Sequence, residues 1–312
     1  MRGPNAAAAR QKTGGLRNYW KYRQLVMLFI PAILFYLLFK YLPIFGVQIA
    51  FKKYMFMQGV WGSPWIGAEN FRKLFQMASF WEVLRNTFVI SGLKLLFGFP
   101  APILLALLLN EVRSTHFKRA VQTVSYLPHF LSWVILSGIF IQFLSPSIGP
   151  VNFLIKSLGG KPIYFLGEEK WFQPVLVMTH VWKSAGWESI VYLAALTNIN
   201  PEYYEAAYID GATRWQCARY ITVPSLAPVI TIMLIFAVGG VIDDDFNQIY
   251  NMLNEAVYSV GDVLSTFTYR RGLVKMDYGF AAAADLFKNV IAFILIITAN
   301  TAANRINEYG IW

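Results

Sequence analysis

The sequence predicts an all-α, polytopic membrane protein with six transmembrane helices. Of its 312 residues, 56% are hydrophobic and 17% are aromatic, whereas only 14% are charged. A soluble domain usually carries about a quarter charged residues. Several apolar runs also reach the roughly 20 residues that a helix needs to cross the hydrocarbon core of a bilayer. We therefore expect packing in lipid to hold the fold.

Six apolar segments are predicted to span the membrane. They cover residues 25–45, 87–109, 120–143, 172–196, 226–242 and 282–303. Prolines within these segments predict kinks, because a proline removes one helical hydrogen bond. Among them are Pro100, Pro102, Pro128 and Pro174.

The tail of residues 1–24 is basic and predicts the orientation of the chain. It contains six Lys and Arg residues and no acidic residue, and such tails favour the cytoplasmic side. The apolar run that follows is too long for a signal peptide and lacks a cleavage site, so we expect it to be retained. The parity of six spans then places residues 110–119, 197–225 and the tail 304–312 in the cytoplasm.

The same reasoning divides the chain into segments. Residues 25–80 hold the first transmembrane helix and an outer loop, and residues 81–303 hold a core of five transmembrane helices. The outer loops are then residues 46–86, 144–171 and 243–281.

Charge and cysteine content exclude several classes of function. The net charge of +10 comes from 27 Lys and Arg against 17 Asp and Glu, but no basic stripe with interleaved aromatic residues indicates nucleic-acid binding. Cationic loops are normal at membrane surfaces. Cys217 is the single cysteine, so no internal disulfide and no cysteine metal cluster can form. His116, His129 and His180 are too scattered in sequence to predict a metal site.

The sequence lacks the common catalytic motifs. The tripeptide Gly-Gly-Lys at 159–161 lacks the first glycine of a phosphate-binding loop, and neither a zinc motif of the HExxH type nor a G-x-S-x-G elbow occurs. We expect no catalytic residue and no bound cofactor, so another subunit must bind the nucleotide if the protein does work. A membrane enzyme of glycan metabolism stays as an alternative without a motif behind it.

A polar segment, EAAYIDGATRWQCARYITVP at residues 205–224, interrupts the apolar pattern. Just before it, Asn200 is a good helix cap, Pro201 suits the first helical position and Glu202 favours the positive end of the helix dipole. A short helix is predicted over 201–208.

A turn and a second short helix are predicted to follow. Asp210 and Gly211 predict the turn, because glycine accepts positive φ and aspartate can cap the next helix. The second helix is expected over 213–220 and is expected to end at Pro224. In the first helix, Ala206 and Ala207 leave a smooth patch beside the charge of Glu205. An ordinary, well-capped cytoplasmic loop explains these features equally well.

The spacing of this segment resembles the EAA loop of permease subunits of binding-protein-dependent ABC importers. That pattern is E-A-A, three residues, a variable position usually followed by Gly, nine residues, and then I-x-L-P. The matching positions are Glu205, Ala206, Ala207, Gly211, Ile221 and Pro224. One position departs from the pattern: Val223 stands where Leu is usual, which exchanges one apolar residue for another.

The resemblance implies a type I ABC importer permease architecture, with 81–303 as the core permease domain. It also implies that residues 197–225 form a coupling loop that docks into a partner ATPase, where ATP and Mg are bound. The implied roles are contact with the ATPase for Glu205, Ala206, Ala207 and Gly211, turn formation for Asp210, and anchoring to the fifth span for Ile221 and Pro224.

Longer stretches are similar to the carbohydrate branch of these permeases, the MalF-type sugar permeases, and within it to LplB-type oligosaccharide and polysaccharide permeases. They include KYLPIFGVQIAFKKY, GSPWIGAENF and SYLPHFLSWVI. The resemblance implies a multi-pass protein of the bacterial cytoplasmic (inner) membrane. The implied partners are a second homologous permease chain, two ATPase subunits, an extracytoplasmic solute-binding protein, membrane lipid and an oligosaccharide substrate. An importer for a non-sugar solute is the alternative within this machinery.

Polar and aromatic residues on the spans are the candidates for the substrate path, because aromatic rings stack on sugar faces and intramembrane ionisable groups usually face the bundle interior. Self-satisfying polar groups or an interfacial tryptophan belt explain the same residues. The candidates are His129, His180, Trp182, Lys183, Trp187 and Glu188.

Basic residues in the outer loops favour an acidic oligosaccharide, such as an alginate-like uronate fragment. They are Lys52, Lys53, Lys156, Lys161, Arg270 and Arg271. The acidic residues of the same loops argue against a simple positive funnel: Asp243, Asp244, Asp245 and Asp262.

Overall fold

The computed structural model describes residues 22–307, and in this part of the chain the regular structure is helical. The predicted all-α class is therefore confirmed. Strand pairing among these residues is limited to one isolated antiparallel bridge between Lys52 and Trp65. Most of the basic tail of residues 1–24, and residues 308–312 of the predicted C-terminal tail, lie outside the described residues.

The longer helices are numbered here in chain order. They are α1 (Arg23–Phe51), α2 (Glu69–Gln76), α3 (Ala78–Glu111), α4 (Thr115–Phe130), α5 (Trp133–Phe143), α6 (Pro150–Ser157), α7 (Glu169–Leu196), α8 (Pro201–Ile209), α9 (Arg214–Gly239), α10 (Phe246–Met252), α11 (Leu264–Tyr269) and α12 (Tyr278–Asn307). Shorter helical turns cover Phe56–Gln58, Gly59–Gly62, Glu255–Val257, Tyr258–Gly261 and Arg270–Val274.

Four of the described helices are long and apolar enough to cross a membrane: α1, α3, α9 and α12. The pair α4 and α5 counts as a fifth span if its two helices, which are bent by 104°, form one crossing. The predicted number of six spans is therefore not confirmed. The predicted span 172–196 lies in α7, whose 28 residues make it roughly 42 Å long. Its length suffices, but polar residues including Lys183 and Glu188 lower the hydropathy of its middle.

The prolines have different effects on the helices. Pro128 lies in the 3₁₀ turn Leu127–Phe130, next to the sharp bend between α4 and α5. Pro174 lies inside α7, which continues past it. The prediction that a second short helix ends at Pro224 is wrong, because α9 runs through that proline and becomes the span. The π-helical stretch Ala218–Thr222 precedes it, and local π-helical adjustments of this kind let membrane helices contain prolines.

Three buried clusters hold the bundle together. One joins α7 to α3, α10 and the loop residues around them, a second joins α2, α3, α11 and α12, and a third lies between α3, α7 and α9. The third contains Ala106, Tyr192, Leu196 and Leu226. By contrast, the apolar stretch of α1 buries none of its residues within this chain, so its surface is available to lipid or to another chain.

Candidate functional site

The helix α8 begins where the sequence predicts. The side-chain Oδ1 of Asn200 accepts a hydrogen bond from the backbone N–H of Glu202 at 3.1 Å, and Pro201 occupies the first helical position. The helix ends at Ile209, one residue beyond the predicted bound. The cap thus fixes the start of α8 through local contacts alone.

A tight turn links α8 to α9. Gly211 has a φ of +80°, a conformation that glycine adopts without steric cost. The N–H of Ala212 donates to the carbonyl of Ala207 at 2.9 Å, which closes the end of α8. Thr213, rather than Asp210, caps the next helix, since its side chain and that of Gln216 form a reciprocal capping box. We call residues 200–222 the elbow.

The elbow presents a smooth exposed surface. Glu205, Ala206, Asp210 and Gly211 are exposed and Ala207 is half-buried. Large apolar side chains beside them are also exposed, among them Ile209 at 87%. Exposed apolar groups around a small-residue patch are typical of a surface that contacts another protein.

Two contacts hold the elbow together and attach it to the membrane helix α3. The hydroxyl groups of Tyr204 and Thr222 lie 3.0 Å apart, and Arg214 at the start of α9 lies 3.7 Å from Glu111 at the end of α3. The two predicted anchors both lie in α9. Of these, Ile221 is half-buried and Pro224 is exposed. The contact between Tyr204 and Thr222 was not predicted, since no local sequence pattern marks a pair eighteen residues apart.

The helix α9 leads from the elbow to a polar cavity. Its 26 residues correspond to roughly 39 Å at the usual rise per residue. Its far end, including Ala237 and the following Gly240, lines a cavity of about 200 Å³. One continuous helix therefore joins the exposed elbow to a site inside the bundle.

The polar cavity combines side chains from three parts of the chain. Its polar lining residues are Ser91, Lys94, His180, Glu188, Asp243 and Asp245. Two of the six predicted path residues, His180 and Glu188, are among them. Ser91, Lys94 and Asp245 were not predicted to line the path, although a lysine inside an apolar run is itself a signal of an intramembrane site.

Asp245 connects these parts. It has a left-handed φ of +53° at the break between α9 and α10, and its Oδ2 lies 3.6 Å from Nζ of Lys94 and 3.4 Å from Nδ1 of His180. Lys94 is only 7% exposed, and its ammonium has no hydrogen-bond partner in the described part of the chain. The carboxylate of Asp245 thus supplies the charge that offsets a buried lysine.

The other predicted path residues lie elsewhere. Nζ of Lys183 donates to the carbonyl of His129 at 2.8 Å, at the bend between α4 and α5. The ring of His129 stacks on Trp187 with centroids 4.6 Å apart and planes 6° apart. Trp182 packs edge-on against Phe140. Lys183 and Glu188 do not pair with each other among residues 22–307, so the alternative of a self-satisfied pair of these two residues is not seen.

The basic residues of the outer loops do not form one positive face. Lys52 is 2% exposed and donates to the carbonyl of Val60 at 2.7 Å. Arg270 pairs with Asp262, and this hydrogen bonding raises the pKa of the Arg270 guanidinium. The guanidinium of Arg271 lies over the rings of Phe267 and Phe280. Three of the six cations are exposed: Lys53, Lys156 and Lys161.

Comparison with known proteins identifies relatives of this chain. Residues 98–246 match the family described as "Binding-protein-dependent transport system inner membrane component". The chain is 43% identical to Protein LplB of Bacillus subtilis (strain 168), over 95% of this chain and 92% of that protein. It is 40% identical to the polygalacturonan/rhamnogalacturonan transport system permease protein YteP of the same organism, over 93% and 90% of the two chains.

Solved structures agree with the sequence relatives. A crystal structure of a bacterial ABC transporter involved in the import of the acidic polysaccharide alginate contains a chain that matches with a TM-score of 0.88 and 42% identity, over 93% of this chain and 98% of that one. A second structure, of a bacterial alginate ABC transporter with an alginate pentasaccharide-bound periplasmic protein, matches with a TM-score of 0.88 and 41% identity, over 95% and 99%.

The chain belongs to the family of inner membrane components of binding-protein-dependent transport systems. It is thus a multi-pass permease component of an ABC transporter and not itself an enzyme. Among residues 22–307, no group of three or more His, Cys, Asp or Glu side chains is placed to hold a metal ion.

Proposed function

We propose that this chain is the sugar-conducting permease subunit of an ABC importer. It receives an oligosaccharide from an extracytoplasmic solute-binding protein and passes it across the cytoplasmic membrane by alternating access. A second homologous permease chain completes the path, and two ATPase subunits bind ATP and Mg. The observation that supports this most is that α9 joins the elbow to the polar cavity.

In this proposal the elbow is the cytoplasmic contact with the ATPase, and both chain termini lie in the cytoplasm. The contact residues are Glu205, Ala206, Ala207, Asp210 and Gly211, with Ile221 and Pro224 as anchors in α9. Closure of the ATPase dimer displaces the elbow, and α9 transmits the displacement to Gly240 and the cavity. Two arrangements of the bundle, each favoured by one state of the ATPase, are the minimum that alternating access requires.

The polar cavity is the proposed centre of the substrate path. The carboxylate of Glu188 and the imidazole of His180 suit hydrogen bonds to sugar hydroxyl groups, and aromatic rings suit the apolar faces of sugar rings. We extend the path to the bend between α4 and α5, where Lys183 and the stacked His129 and Trp187 lie. Trp182 borders this region.

An acidic oligosaccharide is the finer proposal for the cargo. Its support comes from the relatives, because the two structures above concern alginate and YteP is named for polygalacturonan. The outer-loop charges add little, since Lys52 is buried and Arg270 is paired with Asp262. We expect uronate oligosaccharides, rather than neutral ones, to stimulate the transporter.

The test is uptake by the complete transporter, with its ATPase, second permease and binding protein, in proteoliposomes. We expect ATP-dependent uptake of alginate or galacturonate oligosaccharides, together with stimulated ATP hydrolysis. Stimulation by neutral sugars alone would contradict the acidic cargo, and stimulation by peptides or another non-sugar solute alone would contradict a sugar permease. Chemical alteration of the sugar by the purified chain without uptake would favour a membrane enzyme.

A further inference from the structure

A second recess lies beside the polar cavity, at the outer end of α12. We call it the aromatic groove and define it by Phe246, Ser265, Thr268, Tyr269, Tyr278 and Asp285. Its volume is about 520 Å³, which falls within the range of roughly 300–1,000 Å³ that small-molecule sites occupy. The small residues Ala281 and Ala282 form part of its wall.

Neighbouring rings hold the aromatic side chains of the groove in place. Phe246 stacks on Tyr250 with centroids 5.0 Å apart and contacts Tyr269 at 5.3 Å. Tyr278 is supported edge-on by Tyr54 at 5.5 Å. Rings that are fixed before a ligand arrives lose little conformational freedom on binding, and their flat faces match the apolar faces of pyranose rings.

The walls of the groove are mainly apolar, but the groove also contains a carboxylate. Asp285 lies within the membrane helix α12 and is exposed in this chain, and carboxylates at such positions face water or protein rather than acyl chains. Its carboxylate accepts hydrogen bonds, and the phenol groups of Tyr269 and Tyr278, which also line the groove, donate and accept them, as a ligand rich in hydroxyl groups requires.

The groove and the polar cavity meet at one point in the chain. Asp245 lines the cavity and the next residue, Phe246, lines the groove, at the break between α9 and α10. A chain of sugar rings that passes this break therefore meets polar groups on one side and fixed aromatic faces on the other.

We propose that the aromatic groove is a second binding site for a saccharide ring, and that it favours longer oligosaccharides over disaccharides. This inference rests on the proposed function. A disaccharide is held in the polar cavity alone, whereas a longer chain also places a ring against Phe246 and Tyr278. The groove thus affects which substrate lengths are transported and does not affect coupling to ATP hydrolysis.

The test compares two chain lengths in proteoliposomes that contain the complete transporter with saturating, sugar-loaded binding protein. The probes are the disaccharide and pentasaccharide of alginate and the same two lengths of oligogalacturonate. For Tyr278→Ala we expect pentasaccharide uptake to fall about five- to tenfold, from the loss of one ring contact, with disaccharide uptake within about twofold of wild type. Tyr278→Phe keeps the ring and is the matched control. Ala282→Phe, which fills the groove without removing a ring, should reproduce the length effect.

Several results would overturn the inference. A length-selective ring site is contradicted if Tyr278→Ala and Ala282→Phe reduce uptake of the disaccharide and the pentasaccharide equally. It is also contradicted if these variants reduce uptake of neither sugar. Loss of the second permease chain on co-purification of these variants means that the groove is a contact between chains. If the wild-type transporter imports none of the four sugars, the proposed acidic cargo fails and the groove inference fails with it. If the wild-type transporter imports these sugars but the variants show no length effect, the proposed function stands and only the groove inference fails.

Discussion

The hydroxyl groups of Tyr204 and Thr222 lie 3.0 Å apart and join α8 to the membrane helix α9 within the elbow. Thr222 is buried, and its hydroxyl also lies 3.4 Å from the carbonyl of Cys217. The helix α8 is thereby fixed to the π-helical stretch that precedes the apolar part of α9. A force on α8 is expected to move the start of α9 with it.

Removing this hydrogen bond should weaken coupling without unfolding the chain. For Tyr204→Phe we expect a loss of about 0.5–1.5 kcal/mol in the attachment of α8, the usual net value of such a bond. Transport per ATP hydrolysed should fall, as measured by uptake and phosphate release in proteoliposomes. Tyr203→Phe is the control, because Tyr203 is exposed. Equal transport per ATP in the two variants would show that the bond carries no coupling.

The close approach of α7 to α4 depends on Gly186. A Cβ at this position would lie 2.0 Å from the carbonyl oxygen of Ser125, and small residues permit such backbone contact between membrane helices. We expect Gly186→Ala to cost about 1–3 kcal/mol or more of folding free energy, as overpacking does. Thermal unfolding of the purified complex measures this. Gly92→Ala is the control, since a Cβ there meets nothing within 4 Å. A Gly186→Ala complex that unfolds at the same temperature as the Gly92→Ala complex would contradict the close packing of α7 on α4 at Gly186.

The pairing of Lys94 with Asp245 predicts an order of stabilities. Asp245→Asn leaves a buried ammonium without its carboxylate, whereas Lys94→Met combined with Asp245→Asn removes both charges. We expect the double variant to unfold at a higher temperature than the Asp245→Asn single variant, with His180 retained in both. If the stability changes of Lys94→Met and Asp245→Asn, each measured alone, add up to that of the double variant, the two residues are not energetically coupled.

Local signals were enough to predict the elbow, because its form depends on neighbours in sequence. Asn200 and Gly211 act through hydrogen bonds and φ angles within a few residues. The continuation of α9 past Pro224 was not predictable in the same way. A proline ends a helix in water, but inside a bundle a local π-helical stretch and neighbouring helices compensate for the lost bond.

Tertiary contacts explain what the sequence did not reveal about the polar cavity. His180 and Glu188 were identified because ionisable residues in membrane helices are conspicuous. Asp245 was assigned to an outer loop, and only the folded chain brings its carboxylate to Lys94. His129 meets Lys183 of α7 at the 104° bend between α4 and α5. Pro128 suggests such a bend but does not specify its angle.

The most direct test of the account is substrate-stimulated ATP hydrolysis by the complete transporter that carries Glu205→Lys. Glu205 is exposed on the elbow, so the substitution reverses a surface charge without disturbing a buried contact. We predict that the permease, ATPase and binding protein still assemble and that the binding protein still delivers sugar, while transport and stimulated hydrolysis are lost. Transport and stimulated hydrolysis at the wild-type level in this variant would contradict the claim that the elbow couples the ATPase to the cavity through α9.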